Sequence, residues 1–346
     1  MTSHTSSHPT PGTGRRRTGL RAGLVAVAAA AALALTGCGG GTASSDSASA
    51  SGSDSGNWPL TIEHVKGTTT LDKQPERIVS TSPTLTGTLL AIDAPVVSSA
   101  ATTVSDITDS EGFFSQWGDV AKERGVDNLY PDLKFDEEAV IAADPDLIVV
   151  AATGADSTVD QYDKLSKIAP TIVVDYGKQS WQSLAEELGK DTGHEDGAKA
   201  AEAKFSDRVS EVKSAVSSKA GDANVIVWNG QAGTTAFAKP GSAHADLLES
   251  VGFSVKGADD SMDTSEQKRS DFTFVSLENA VKAMQAPTVF VANGDDATVK
   301  DLKGTKVMAS NPAVKDGDIV ALGNDSFRID YYSGLNILQK VQDALS

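Results

Sequence analysis

The sequence predicts an α/β protein of two lobes joined by a single long helix, and three observations predict it. Short Val/Ile-rich runs recur along the chain, continuous in apolar character and not alternating, the pattern of strands covered on both faces. Stretches of helical spacing separate these runs, so strand and helix alternate and crossover connections follow. One amphipathic segment near the middle is much longer than the others.

The chain has 346 residues and one cysteine, Cys38. Residues 1–37 read as an export signal. Arg15, Arg16, Arg17 and Arg21 accompany an apolar run from Leu20 to Leu35 that closes on Leu35-Thr36-Gly37-Cys38. The clean apolar part is too short for a permanent membrane-spanning helix. The pattern Leu-x-small-Cys resembles a bacterial lipobox. That resemblance implies cleavage before Cys38, acylation of its thiol and anchoring by the acyl chains, two of which make a stable anchor. The paired arginines leave the Sec and Tat routes both open. A buried or redox-active Cys38 is the alternative. With no second cysteine, intrachain disulfides and Cys-based metal sites are excluded. Residues 38–57 are mostly Gly, Ser, Ala and Asp, which bury too little to offset chain entropy and form a flexible tether.

From Trp58 to Ser346 the length exceeds one average domain, so two lobes are expected. Strands are predicted at 77–80, 95–98, 146–150, 171–174, 224–228, 287–291 and 317–321, and helices at 135–143, 158–168, 179–192 and 243–251. Between Glu195 and Ala220 the apolar residues Ala198, Ala201, Phe205, Val209, Val212 and Val216 are spaced by threes and fours, one amphipathic helix flanked by Gly193 and Gly221. The body thus divides into Rossmann-like lobes at 58–192 and 222–346 with a linking helix at 193–221. Without its four arginines, the export segment removed, the chain keeps 26 basic against 47 acidic side chains, a formal −21. That excludes nucleic acid as a natural partner. For an anionic ligand, local basic residues must overcome the global field.

The two halves echo each other. Phe135-Asp-Glu-Glu138 precedes the run from Pro145, and Val275-Ser-Leu-Glu278 precedes the run from Pro287. In each a glutamate opens a helix, where carboxylates are favoured on dipole grounds alone.

Residues 77–96, 112–130, 145–157, 162–176 and 321–334 (RIVSTSPTLTGTLLAIDAPV, GFFSQWGDVAKERGVDNLY, PDLIVVAATGADS, YDKLSKIAPTIVVDY and ALGNDSFRIDYYSG) resemble the substrate-binding proteins of bacterial iron–siderophore and vitamin B12 importers, in particular the ferric-enterobactin binders. The likeness covers most of 58–346. It implies a ligand cleft between the lobes, a stiff linking helix that permits only a small tilt, and delivery of the ligand to an ABC permease driven by its ATPase. It also implies that Glu138 and Glu278 dock on permease arginines, that the protein sits as a monomer on the outer face of the cytoplasmic membrane, and that it is neither an enzyme nor dependent on a cofactor. The cargo is an Fe(III)–siderophore complex, catecholate and enterobactin-like; a hydroxamate or mixed chelate, or haem, is the alternative.

A ferric tris-catecholate is anionic and ring-rich, so its cleft calls for guanidinium groups and aromatic walls. Arg328, in Phe327-Arg328-Ile329-Asp330, matches an arginine of the resembled family and follows a predicted strand, where ligands gather in α/β sheets; the competing role is an ion pair with Asp325 or Asp330. Arg269 lies in a polar loop of the second lobe, and Arg124 is the candidate from the first. Phe237, Trp228 and Trp117 are candidate cleft walls, each with a place in the core as the alternative. Ser82, before Pro83 and a helix start, meets either an anionic ligand or its own helix as an N-cap. One stretch departs from the enterobactin binders. After Ala101-Thr-Thr103 they carry a basic loop residue, whereas Val104–Glu111 is acidic here and one residue shorter.

Other chemistries find less support. Tyr331-Tyr332 would suit bare Fe³⁺, but Arg328 stands three residues away. His64, His194 and His244 are scattered, which disfavours zinc. No Gly-x-Ser-x-Gly elbow occurs, and Ser210-Glu-Val-Lys213 rides the polar side of the long helix, so an exported hydrolase is the remote alternative. No Gly-rich phosphate loop follows a strand. A structural adhesin would need neither cleft nor small ligand.

Overall fold

The runs of Val and Ile become buried strands in a computed structural model that describes residues 58–346; the export signal, Cys38 and the tether lie outside the described residues. The first lobe opens with a hairpin, β1 (Leu60–His64) and β2 (Gly67–Leu71). Thr69 Oγ1 donates to the Thr171 carbonyl at 2.7 Å and fastens the hairpin to the neighbouring sheet. There follow β3 (Ile78–Ser80), α1 (Pro83–Ala91), β4 (Val96–Ser99), α2 (Ser115–Glu123), β5 (Asp127–Asn128), α3 (Glu137–Ala142), β6 (Leu147–Ala151), α4 (Tyr162–Leu165), β7 (Thr171–Val174) and α5 (Trp181–Thr192). Five parallel strands lie in the order β5–β4–β3–β6–β7. Every residue of β3, β6 and β7 is buried, as continuous apolar runs require. The order reverses between β3 and β6, the place in such sheets where loops part to form a crevice.

Gly193, at φ +72°, ends α5 in the left-handed conformation that glycine adopts without strain. The linking helix α6 (Glu195–Ala215) follows at once. It stops short of the expected Ala220. Ser217 Oγ donates to the Ser214 carbonyl at 2.9 Å, a local bond that competes with helix continuation.

The second lobe comprises β8 (Asp222–Trp228), β9 (Thr235–Ala238), α7 (Ala243–Ser250), β10 (Ser254–Val255), β11 (Phe272–Val275), α8 (Leu277–Ala283), β12 (Thr288–Val291), α9 (Asp296–Gly304), α10 (Pro312–Asp316), β13 (Asp318–Ala321) and α11 (Tyr331–Leu345). Its sheet runs β11–β9–β8–β12–β13, with β10 beside β8. The predicted strands β8, β12 and β13 are parallel. The unpredicted β9 and β11 are antiparallel, so the sheet is mixed and not wholly parallel. The short 229–234 connection dictates this, because a parallel return needs a crossover of about a dozen residues or more.

The C-terminal helix packs against β13 of its own sheet and also leaves it. It packs along α6 and reaches α1 and α2 of the first lobe. Gly334 lets it approach: a Cβ there would stand 2.7 Å from Phe205 Cε2. Gly197 plays the same part for α6, where a Cβ would meet the Ile92 carbonyl oxygen at 2.0 Å. In an open helix Gly→Ala gains about 1 kcal/mol. Here rigid backbone blocks it, so Gly197→Ala is expected to destabilise the protein by about 1–3 kcal/mol, read as a lowered midpoint in thermal unfolding; an unchanged or raised midpoint would contradict this packing.

Candidate functional site

Both lobes and the linking helix enclose a cavity of about 1010 Å³. The first lobe contributes Thr84, at the start of α1, and the segment from Tyr176 to Gln182 that follows β7. The linking helix presents Phe205 and Val209, and the second lobe closes the space with α7, the Arg269–Phe272 segment and Phe327–Ile329.

Arg328 is the centre of this arrangement. Its guanidinium carbon stands 4.3 Å from the centroid of the Tyr176 ring, a cation over an aromatic face that spans the two lobes. Among the described residues it pairs with no carboxylate. The two nearby in sequence are engaged elsewhere: Asp325 accepts from Asn336 Nδ2 at 2.7 Å, and Asp330 caps α11 through the Ser333 amide at 2.7 Å while accepting from Gln116 Nε2 at 3.0 Å. The backbone around Arg328 is held on several sides. Ser333 Oγ donates to the Arg328 carbonyl at 2.7 Å. His244 Nε2 lies 2.7 Å from the Ser326 carbonyl, so Nε2 carries the proton and donates. Burial holds the His244 pKa below the usual imidazole value, which keeps the ring neutral. Phe327 meets Phe114 edge to face with centroids 5.1 Å apart.

Tyr176 is held in turn. Its hydroxyl donates to Asp156 Oδ1 at 2.7 Å, and burial, reinforced by that carboxylate, pushes its pKa up to about 12. Asp156 Oδ2 accepts from Ser82 Oγ and from the Thr84 amide. These groups sit at the carboxyl ends of β3, β6 and β7, at the reversal of strand order.

Arg269 also lines the cavity, but Asp271 grips it in a bidentate pair, Nε to Oδ1 at 2.8 Å and Nη2 to Oδ2 at 2.6 Å. The other expected residues lie elsewhere. Arg124 ends α2 and pairs with Asp93 at 2.5 Å, outside the cavity lining. Phe237 is fully buried, because β9 lies inside the sheet between β8 and β11. Trp228 is buried with its indole N–H donating to Asp301 Oδ2 at 2.7 Å, which turns it toward α9. Trp117 is walled into the first lobe against Phe113 and Phe114. Ser82 is fully buried as the N-cap of α1, accepting from the Leu85 amide. The Asp156 carboxylate already fills the anion-binding end of that helix, leaving no place for a ligand there. Nor is the lining basic overall: Arg269 and Arg328 face Glu202, Asp246 and Asp271.

The aromatic walls are Tyr176, Trp181, Phe205, Phe272 and Phe327, and apart from Phe205, expected only as an apolar residue of the linking helix, none was singled out in the sequence. Tyr176 carried a usable signal, since it stands just beyond the 171–174 run, at a strand end where ligands gather. Trp181 and Phe272 carried none, because a ring in a helix or strand reads as core until the cavity is seen. Glu138 and Glu278 are both exposed in the first turns of α3 and α8, after the N-caps Asp136 and Ser276; Glu278 also pairs with Lys282 at 2.8 Å.

Two lobes and a linking helix around an interlobe cavity define the architecture of a solute-binding protein. The chain belongs to the periplasmic binding protein family, whose model matches residues 78–326. It is 39% identical over 291 residues to the ferric enterobactin-binding periplasmic protein FepB of Escherichia coli O6:H1, covering 83% of this chain and 91% of that one. The crystal structure of holo-ViuP superposes with a TM-score of 0.71 at 38% identity, over 84% of this chain and 99% of that one. The catecholate-siderophore binding protein VctP of Vibrio cholerae shares the fold, with a TM-score of 0.56 at 20% identity over 83% and 98%.

Proposed function

We propose that this chain is the substrate-binding protein of an ABC importer, which captures a ferric catecholate siderophore outside the cytoplasmic membrane and hands it to a permease. The observation that carries the reading is Arg328: a guanidinium without a carboxylate partner among the described residues, stacked on Tyr176 inside a ring-walled cavity. A cation of this kind stays charged and offers planar donors to phenolate oxygens. The cavity volume falls at the upper end of small-molecule sites, which suits a bulky chelate. The E. coli relative is named for ferric enterobactin. Acylation at Cys38 would hold the protein at the membrane, and Glu138 and Glu278, one exposed carboxylate per lobe, would meet basic residues of the permease. The protein acts as a monomer, without a cofactor and without catalysis.

A second reading rests on the charge of the lining. Three carboxylates against two arginines, with the acidic 104–111 stretch in the first lobe, favour a less anionic ferric chelate such as a hydroxamate. Over 107 residues, 31% of this chain, it is 36% identical to the iron(3+)-hydroxamate-binding protein of Bacillus subtilis. Titrating ferric catecholates and ferric hydroxamates side by side, with quenching of Trp181 fluorescence as the signal, separates the two readings.

With a catecholate as ligand, Arg328→Ala is expected to weaken binding by about 2 kcal/mol, roughly thirtyfold; an unchanged Kd removes Arg328 from the site. Asp271→Asn is expected to act in the opposite sense. Freed from its exposed ion pair, Arg269 turns to the ligand and tightens binding by up to about 1 kcal/mol, roughly fivefold, and weaker binding by this variant would refute the competition. Glu138→Ala combined with Glu278→Ala should leave the Kd untouched and abolish iron-chelate uptake by cells. Normal uptake would dispose of the docking role.

A further inference from the structure

Asp156 is a buried carboxylate with no cation beside it among the described residues. It is 7% exposed, and its partners are all neutral donors: Ser82 Oγ and the Thr84 amide on one oxygen, the Tyr176 hydroxyl on the other. A buried charge held only by hydrogen bonds is costly to retain. The local backbone is shaped to keep it. Gly154, at φ +97°, leaves the slot through which the Tyr176 hydroxyl arrives; a Cβ there would stand 1.7 Å from that oxygen and 2.9 Å from Asp156 Oδ1. A face of the same tyrosine ring carries the Arg328 guanidinium of the second lobe. Three loops, following β3, β6 and β7, therefore converge on one carboxylate whose outward effect is to set the angle of one ring.

We propose that Asp156 is a positioning residue: acting through the Tyr176 hydroxyl, it fixes the aromatic shelf on which Arg328 rests, and so sets the affinity of the cavity for its anionic ligand. The inference rests on the siderophore reading for its ligand but not for its geometry. The Tyr176 hydroxyl and the Thr84 amide reach different oxygens of this carboxylate, so an amide in its place turns an NH2 toward one of these donors and loses that bond. Phe at position 176 keeps the ring and removes only the tether.

The test uses Asp156→Asn and Tyr176→Phe, each alone and combined with Arg328→Ala, in the otherwise unaltered protein. Thermal unfolding checks that each variant is folded, and Tyr176→Phe serves if Asp156→Asn is not. With ferric enterobactin as the probe, each is expected to lower affinity by about fivefold when Arg328 is present and by less than about twofold when it is absent. A merely structural role predicts equal losses in both backgrounds, and that result would overturn the proposal. A second readout needs no ligand. The Arg328 Nε–H resonance in NMR is shifted by the ring current of Tyr176, and should move toward the value of a free arginine in both variants. If it stays in place, Asp156 does not position the shelf. Should ferric enterobactin fail to bind the unaltered protein, the catecholate reading falls, and the NMR measurement alone decides the positioning role.

Discussion

The buried carboxylate of Asp330 ties the architecture together. It starts α11 as a capping box with Ser333, and it accepts from Gln116 on α2, in the other lobe. Burial pushes its pKa up, so the site is electrostatically expensive, and the hydrogen bonds around it must hold their geometry for it to survive. A hydrogen bond to a charged group is worth about 1.5–3 kcal/mol, and leaving such a group unpaired costs more. The segment 324–330 is thereby held between the lobes, and Arg328 rides on it. Asp156 does the corresponding work on the opposite wall. The two elements that meet in the cavity, a guanidinium and a ring, are each held by a buried acid that lies outside the cavity lining.

A strongly acidic protein can in this way keep one guanidinium of its cavity clear of carboxylates. At physiological salt, charges more than about 8 Å away are largely screened, so the overall negative charge counts for little at contact distance. What counts is whether a nearby carboxylate neutralises the cation. Asp325 and Asp330 stand three and two residues from Arg328, yet Asn336 occupies the first, and Gln116 and Ser333 the second. Arg269 shows the opposite case. Its neighbour Asp271 has no competing partner of that kind and closes on the guanidinium with both oxygens. Two arginines in one cavity thus differ in availability because of where their neighbouring acids find hydrogen bonds.

The parts of this design legible in the sequence are those set by local pattern. Continuous Val/Ile runs gave β3, β4, β6, β7, β8, β12 and β13, and spacing by threes and fours gave α6. The strands β9 and β11 escaped notice because their antiparallel pairing depends on a short loop and on each other, not on a long apolar run. Arg328 was legible from its place beyond a strand and from its resemblance to the family. Arg124, Phe237 and Trp228 lie outside the cavity lining for one shared reason: residue type and place in the chain do not fix the direction in which a side chain points. Phe237 and Trp228 face the core of the second lobe, and Arg124 found Asp93. Tyr176 meets Arg328 from a distant part of the chain, Asp156 meets Tyr176, and His244 meets Ser326, and no window of sequence contains such a set.

The same contacts limit how the molecule can respond to a ligand. The linking helix lies against α5 and α11, and α11 in turn reaches α1 and α2, so the lobes are joined by more than a single hinge. Wide separation would break the Gln116–Asp330 bond, part Phe114 from Phe327 and lift Arg328 from Tyr176. The first of these alone takes the donor from one oxygen of a buried carboxylate. Adjustment costs far less at the rim, where Arg269 and Asp271 are both solvent-accessible and exposed ion pairs are worth at most about 1 kcal/mol. The frame therefore resists wide separation of the lobes, and the exposed Arg269–Asp271 pair is a contact of the cavity that exchanges partners at little cost.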